Sequence, residues 1–199
     1  CAFRKGWHSL NGAPFFFAQV LKVKMVLKSI PTGIEKKFNE LCQTVVDDCG
    51  LVLYDLEYFP GNQLLRLFVM DSQTESAVIE DCIKVDKAMT AHIEELDWMP
   101  SELTLEVSSP GVYRKLCTIK HFEMACGQRI KISLSDRFDS NTTGLPKSWA
   151  GENKVLATLE SAGEESITFS DGEDFKHICS YERIKKANVD PELNNLIDE

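Results

Sequence analysis

Two kinds of apolar periodicity run through this chain, and their distribution predicts an α+β protein in two parts. Between residues 34 and 116, stretches with apolar residues three and four apart are interleaved with short stretches that alternate every second residue. Beyond Gly127 only the two-residue alternation remains. This predicts an α-β-β-α-β domain over 34–116 and a small all-β barrel domain over 117–199, ending in a short tail. Residues 1–33 form an extension ahead of both.

The elements follow in order. Ile34, Phe38, Leu41, Val45 and Cys49 share one face of a helix that Gly50 stops. Residues 51–59 form a strand, Pro60-Gly61-Asn62 a turn and 64–71 a second strand, which makes a hairpin. After a polar loop over 71–77, Glu80 or Asp81 caps a second helix with Cys82, Val85, Met89, His92 and Leu96 on its apolar stripe. On that stripe His92 reads as a satisfied core histidine. Leu103, Leu105 and Val107 then alternate with Thr104 and Glu106, a half-buried strand. Residues 119–126 make a short helix, on which His121 reads as a surface residue. Four or five strands follow: around Ile130–Leu134, around Val155–Leu159, at Ile167 and Phe169, after the Asp171-Gly172 turn, and over 184–189. Residues 135–150 read as a long, mobile polar loop.

Composition is that of an ordinary soluble protein, 43% hydrophobic and 27% charged. The net charge is −9. Arg4, Lys5, Lys22, Lys24 and Lys28, with no acid among residues 1–33, give that segment +5, which leaves −14 for residues 34–199. An acidic body repels a phosphate backbone at long range, which argues against tight autonomous RNA binding and favours a basic protein partner. Solubility alone is the competing explanation. The run over 15–21 is apolar but too short to span a bilayer. Met25 precedes the first helix, and residues 1–24 read as dispensable upstream sequence. Seven cysteines, an odd number without a Cys-x-x-Cys pair, fit a reducing cytosol.

The third predicted strand runs into Ser108-Ser109-Pro110-Gly111, followed by Tyr113, Arg114 and Lys115. Pro110 fixes its φ and Gly111 admits a positive one, so the chain turns sharply. Two hydroxyls sit at the corner, with an aromatic and two cations beyond. This is the form of a recognition loop held by a sheet.

The segment Leu105-Glu-Val-Ser-Ser-Pro-Gly111, with Arg114 and Leu116 after it, resembles the hallmark of the bacterial ribosome maturation factor RimP family. Gly50-Leu-Val-Leu-Tyr-Asp-Leu-Glu57, Leu67-Phe-Val-Met-Asp71, Ile79-Glu-Asp-Cys82, Phe122, Gly127 and Arg183-Ile-Lys-Lys-Ala187 fall in the family's order. The resemblance implies an SH3-like or Sm-like barrel for the second domain. It implies a monomeric, cytoplasmic, non-enzymatic factor for maturation of the small (30S) ribosomal subunit, without cofactor or membrane. Its partners would be the immature particle, a basic small-subunit ribosomal protein near the decoding centre, and ribosomal RNA within the particle. Partner binding falls on Ser108, Ser109, Pro110, Gly111, Tyr113, Arg114 and Asp71. Asp71, which belongs to the family pattern, ends a strand, where it pairs with Arg114 or caps the following turn; a solvated loop aspartate is the plain alternative.

Other chemistries find little support. A Ser109 nucleophile lacks a Gly-x-Ser-x-Gly elbow, and hydroxyls bonding their own turn account for both serines. Cys117, His121 and Cys126 lack zinc-motif spacing and a fourth ligand. An autonomous RNA-binding module is the main alternative, with Tyr54 and Tyr58 as stacking residues and Lys185 and Lys186 on phosphate. Against it, Asp55 and Glu57 intervene between the tyrosines.

Overall fold

A computed structural model describes residues 26–93 and 96–192, so the expectations for residues 1–24 lie outside it. Helix α1 spans Gly33–Asp48 and buries Phe38, Cys42, Val45 and Val46. Strands β1 (Val52–Phe59) and β2 (Leu64–Met70) pair antiparallel around the 3-10 turn Pro60–Asn62. Helix α2 (Ile79–Ile93) crosses over to β3 (Thr104–Ser108), which lies parallel to β2 in the order β1-β2-β3. The two helices and the sheet enclose one core around Phe38, Leu65, Leu67 and Met89.

On α2 one reading is narrowed to Asp81 and one changes. The Asp81 carboxylate accepts from the Val78 N–H at 3.1 Å, closing the first turn. His92 is exposed, because the buried stripe ends at Val85 and Met89 and the last turn leaves the core.

Strand β1 carries a bulge between Leu53 and Asp55. A bulge inserts one residue and flips the faces that follow. Leu51, Leu53, Leu56 and Tyr58 therefore all reach the helix-covered core, while Tyr54 is turned out of it. The opposite face holds a charged row: Glu57, Arg66 and Glu106 are register neighbours, with Arg66 2.7 Å from Glu106 and 3.7 Å from Glu57.

Helix α3 (Ile119–Met124) follows, capped by the Thr118 hydroxyl accepting from the His121 N–H. Strands β4 (Arg129–Leu134), β5 (Lys154–Ala162), β6 (Ser166–Ser170), β7 (Lys176–Ser180) and β8 (Ile184–Val189) form an antiparallel sheet in the order β7-β6-β5-β4-β8. Their inward residues build a second core around Phe122, Ile130, Ile132, Leu159 and Phe169. The expected barrel is not closed: no pairing joins β7 to β8 among the described residues. The outer edge of β8 is already occupied. The Leu116 N–H donates to Ala187 O and the Val189 N–H to Arg114 O, both at 3.0 Å, so residues 114–116 run antiparallel along it.

The loop over 135–150 is pinned, contrary to the expectation of a mobile polar segment. Phe138 and Trp149 are buried, 5.4 Å apart at the ring centroids, and Phe138 bridges to Ala150. Among the described residues no helix is long and apolar enough to cross a membrane, and the six cysteines there are unpaired.

Candidate functional site

The corner after β3 is made by its own side chains. The Ser108 hydroxyl donates to Ser109 O at 3.2 Å, and the Ser109 hydroxyl accepts from the Gly111 N–H at 3.4 Å. Gly111 has φ +72°, and a Cβ built there meets nothing within 4 Å. Glycine is required for its backbone and not for space. Both hydroxyls are engaged within the turn, and neither hydrogen-bonds a histidine among the described residues. Val112 and Tyr113 follow as the exposed tip, each about half accessible at 47% and 49%.

Arg114 does not share that exposure. Only 9% of it is accessible, and its guanidinium donates to Glu75 Oε2 at 2.5 Å and to Gln128 Oε1 at 3.4 Å. Gln128 in turn donates to Glu75 at 3.3 Å and to Met124 O at 3.2 Å. Arg114 therefore joins the loop after β2 to the segment after α3.

Asp71 acts one step behind this pair. Its Oδ1 accepts from the N–H groups of Gln73 and Thr74 at 2.8 and 2.9 Å, and its own N–H donates to Ser76 O at 2.7 Å. The Thr74 and Gln73 hydrogen bonds hold its carboxyl below the usual carboxylate range. This tight turn carries Glu75, which adopts φ +52° and hands its carboxylate to Arg114. Asp71 caps its turn, as one reading had it, and reaches Arg114 only through Glu75.

A second bracket sits beside the first. The bulged Tyr54 lies flat on His121, ring centroids 4.0 Å apart and planes 6° from parallel. The His121 Nδ1 accepts from the Cys117 N–H at 3.1 Å, so Nε2 carries the hydrogen and donates to Tyr54 O at 2.8 Å. Burial holds the imidazole neutral, with its pKa lowered to about 4. His121 is thus a buried structural residue, not the surface residue expected of a short helix. The Tyr54 hydroxyl donates to Lys115 O at 2.7 Å, and burial pushes its pKa up. Nearby, Lys115 pairs with Glu57 and Lys28 with Asp55, both at 2.7 Å. Burial of Glu57 is outweighed by the hydrogen bond and charge of Lys115, and its carboxyl is lowered.

The structure therefore sorts the proposed residues. Ser108, Ser109, Pro110 and Gly111 shape a corner, Tyr113 is presented by it, and Arg114 and Asp71 anchor it from behind. Sequence reasoning missed Glu75, Gln128 and Val112. Glu75 and Gln128 stand far from Arg114 in the chain and in no motif, so no local signal marks them. Tyr58 packs on Phe38 at 4.8 Å, so neither Tyr54 nor Tyr58 offers an open face to a base. Among the described residues no cluster of His, Cys, Asp or Glu is arranged to hold a metal ion.

Residues 41–113 match the family model of the RimP N-terminal domain, from within α1 to the exposed tip of the corner.

Proposed function

We propose, since the chain belongs to the RimP family of ribosome maturation factors, that it serves as an assembly factor of the small (30S) ribosomal subunit. The family match over 41–113 is the observation that carries this reading. In it, the protein is cytoplasmic, monomeric and non-enzymatic. It binds the immature particle and a basic small-subunit protein near the decoding centre, and differential affinity for immature and mature particles drives its binding and release.

The geometry gives this reading a contact point. Val112 and Tyr113 are held out on a rigid corner whose base is fixed by Arg114, so binding there costs little ordering entropy. Tyrosine supplies contact area with few rotors. The acidic body over 34–199 complements a basic partner and speeds encounter with it. An SH3-like relationship for the second sheet rests on five short antiparallel strands with a 3-10 turn before the last.

The test is sedimentation on sucrose gradients. The protein should travel with free small subunits and not with assembled ribosomes, and Tyr113→Ala should release it without changing its melting temperature. Equal occupancy of free subunits and assembled ribosomes, or none on either, would sink the reading.

A further inference from the structure

We infer that the outer face of strands β8, β4 and β5 is a binding site for the phosphate backbone of RNA. The inference deepens the assembly-factor reading and rests on it for the biological source of the RNA. The carrying observation is a juxtaposition that the sequence hides. Lys186 stands opposite Ser133, and Ser133 opposite Lys154, so the two lysines flank β4 on the same row. Lys131 occupies the next outward position of β4, opposite Leu156 and Asn188. With strands about 4.8 Å apart and about 6.8 Å between alternate residues, the three ammonium stems rise from a triangle roughly 7–10 Å on a side. Lys185 sits at the bulge beside Lys186. All four lysines are exposed, and among the described residues none has an acidic group within ion-pair distance.

This is an exception to the rest of the molecule. Residues 34–199 sum to −14, and the cations around the corner are consumed by Glu57, Glu75, Glu106 and Asp55. The three strands contain a single acid, Glu160, at the far end of β5, where Ser170 and Lys176 hold it. At the lysine end, Asp136 is taken up by Arg183 and the Ser135 hydroxyl, and one exposed acid, Glu152, stands two residues ahead of Lys154. At physiological ionic strength the screening length is about 8 Å, so a local group of cations prevails over distant negative charge.

The face selects its ligand. The three strands turn no aromatic ring outward; the exposed Tyr113 lies at the edge, beside Asn188, so the lysine row itself offers bases no stacking platform. Ser133 adds a neutral hydroxyl between Lys154 and Lys186, and Asn188, beside Lys131, donates its amide to Tyr113 O at 3.1 Å. Lysines with small polar neighbours contact phosphate oxygens and position a backbone without reading sequence.

The test measures anisotropy of a fluorescein-labelled A-form RNA hairpin with the full chain, from about 50 to about 200 mM salt. Poly-glutamate of equal charge serves as competing polyanion. Lys131→Ala/Lys154→Ala/Lys186→Ala should weaken RNA binding at least about tenfold and flatten the salt dependence by about two in log-log slope. Lys131→Glu should weaken it more than Lys131→Ala. Lys87→Ala/Lys147→Ala, which removes as exposed a pair of charges elsewhere, should change little. Unchanged binding in the triple variant, an equal loss in the control variant, or poly-glutamate competing as well as unlabelled hairpin overturns the site. Sedimentation of the same proteins separates the two claims. If the triple variant loses RNA but wild type never travels with small subunits, the phosphate site stands and the particle reading falls. If wild type travels with them and the triple variant binds RNA normally, the reverse holds.

Discussion

Arg114 illustrates how one side chain changes role once its surroundings are fixed. As a sequence position beside Tyr113 it reads as a cation offered to a partner, with an internal pair to Asp71 as the other reading. Buried against Glu75 and Gln128 it is a strut. Removing one member of a buried pair strands the other, but Glu75 is about one-third accessible and can recover hydration. Arg114→Ala should therefore cost about 1–3 kcal/mol, read as a fall in melting temperature. A double-mutant cycle with Glu75→Gln should return a coupling of at least about 0.5 kcal/mol. Additive costs would mean that the pair is incidental. His121 supplies a second prediction at this scale. Its folded pKa of about 4 lies below the ordinary histidine value of about 6.5, so the unfolded chain binds the extra proton first. Its neutral form contributes fully above pH 6.5, and stability falls as pH drops from there towards 4, by roughly 2–4 kcal/mol in all. His177 is lowered by burial too and acts in the same direction. His121→Gln should flatten the slope of unfolding free energy between about pH 6.5 and 4 relative to wild type. An unchanged slope would show that this ring does not set it.

Among the elements, the β3 corner and the β1 bulge decide what the site looks like. Gly111→Val forces a branched side chain to φ +72° with open space around it, so the penalty is conformational. About 1–3 kcal/mol should be lost, along with the presentation of Tyr113. Gly111→Ala should lose less of both, and equal losses would point to a different cause. The corner itself was readable beforehand, because Pro110 and Gly111 constrain the backbone locally and Leu103, Leu105 and Val107 give the strand its period. Helix α1 was readable for the same kind of reason. The β1 bulge was not. Alternation alone puts Tyr54 and Tyr58 on one face, and only pairing with β2 reveals the extra residue that sends Tyr54 to His121. Likewise the period of α2 placed His92 inward, since periodicity cannot report where a helix leaves its core. Lys131, Lys154 and Lys186 are scattered in sequence and become neighbours only through the order β5-β4-β8.

At the scale of the whole molecule, two cores are joined by short polar brackets, and the position of the seam between them follows from residues 114–116. The periodicity change suggested a cut at about 116–120. Leu116, however, is fully buried in the second core, and the strand 114–116 covers the outer edge of β8 through two backbone hydrogen bonds. A chain of residues 117–199 would lose that leucine and expose a sheet edge, which is both destabilising and prone to pairing with other chains. Deleting a buried leucine costs about 2–5 kcal/mol, a large part of what holds a domain of this size. We expect residues 114–199 to unfold in one cooperative transition and 117–199 to melt far lower, or to aggregate. The Arg114–Glu75 pair is severed in either piece, so the comparison isolates Leu116 and the edge strand. Equal midpoints in urea for the two pieces would mean that the seam lies after Leu116 and that the strand along β8 adds nothing. A single transition for the intact chain, well above that of residues 114–199 alone, would further show that the Tyr54–His121 and Arg114–Glu75 brackets couple the two cores.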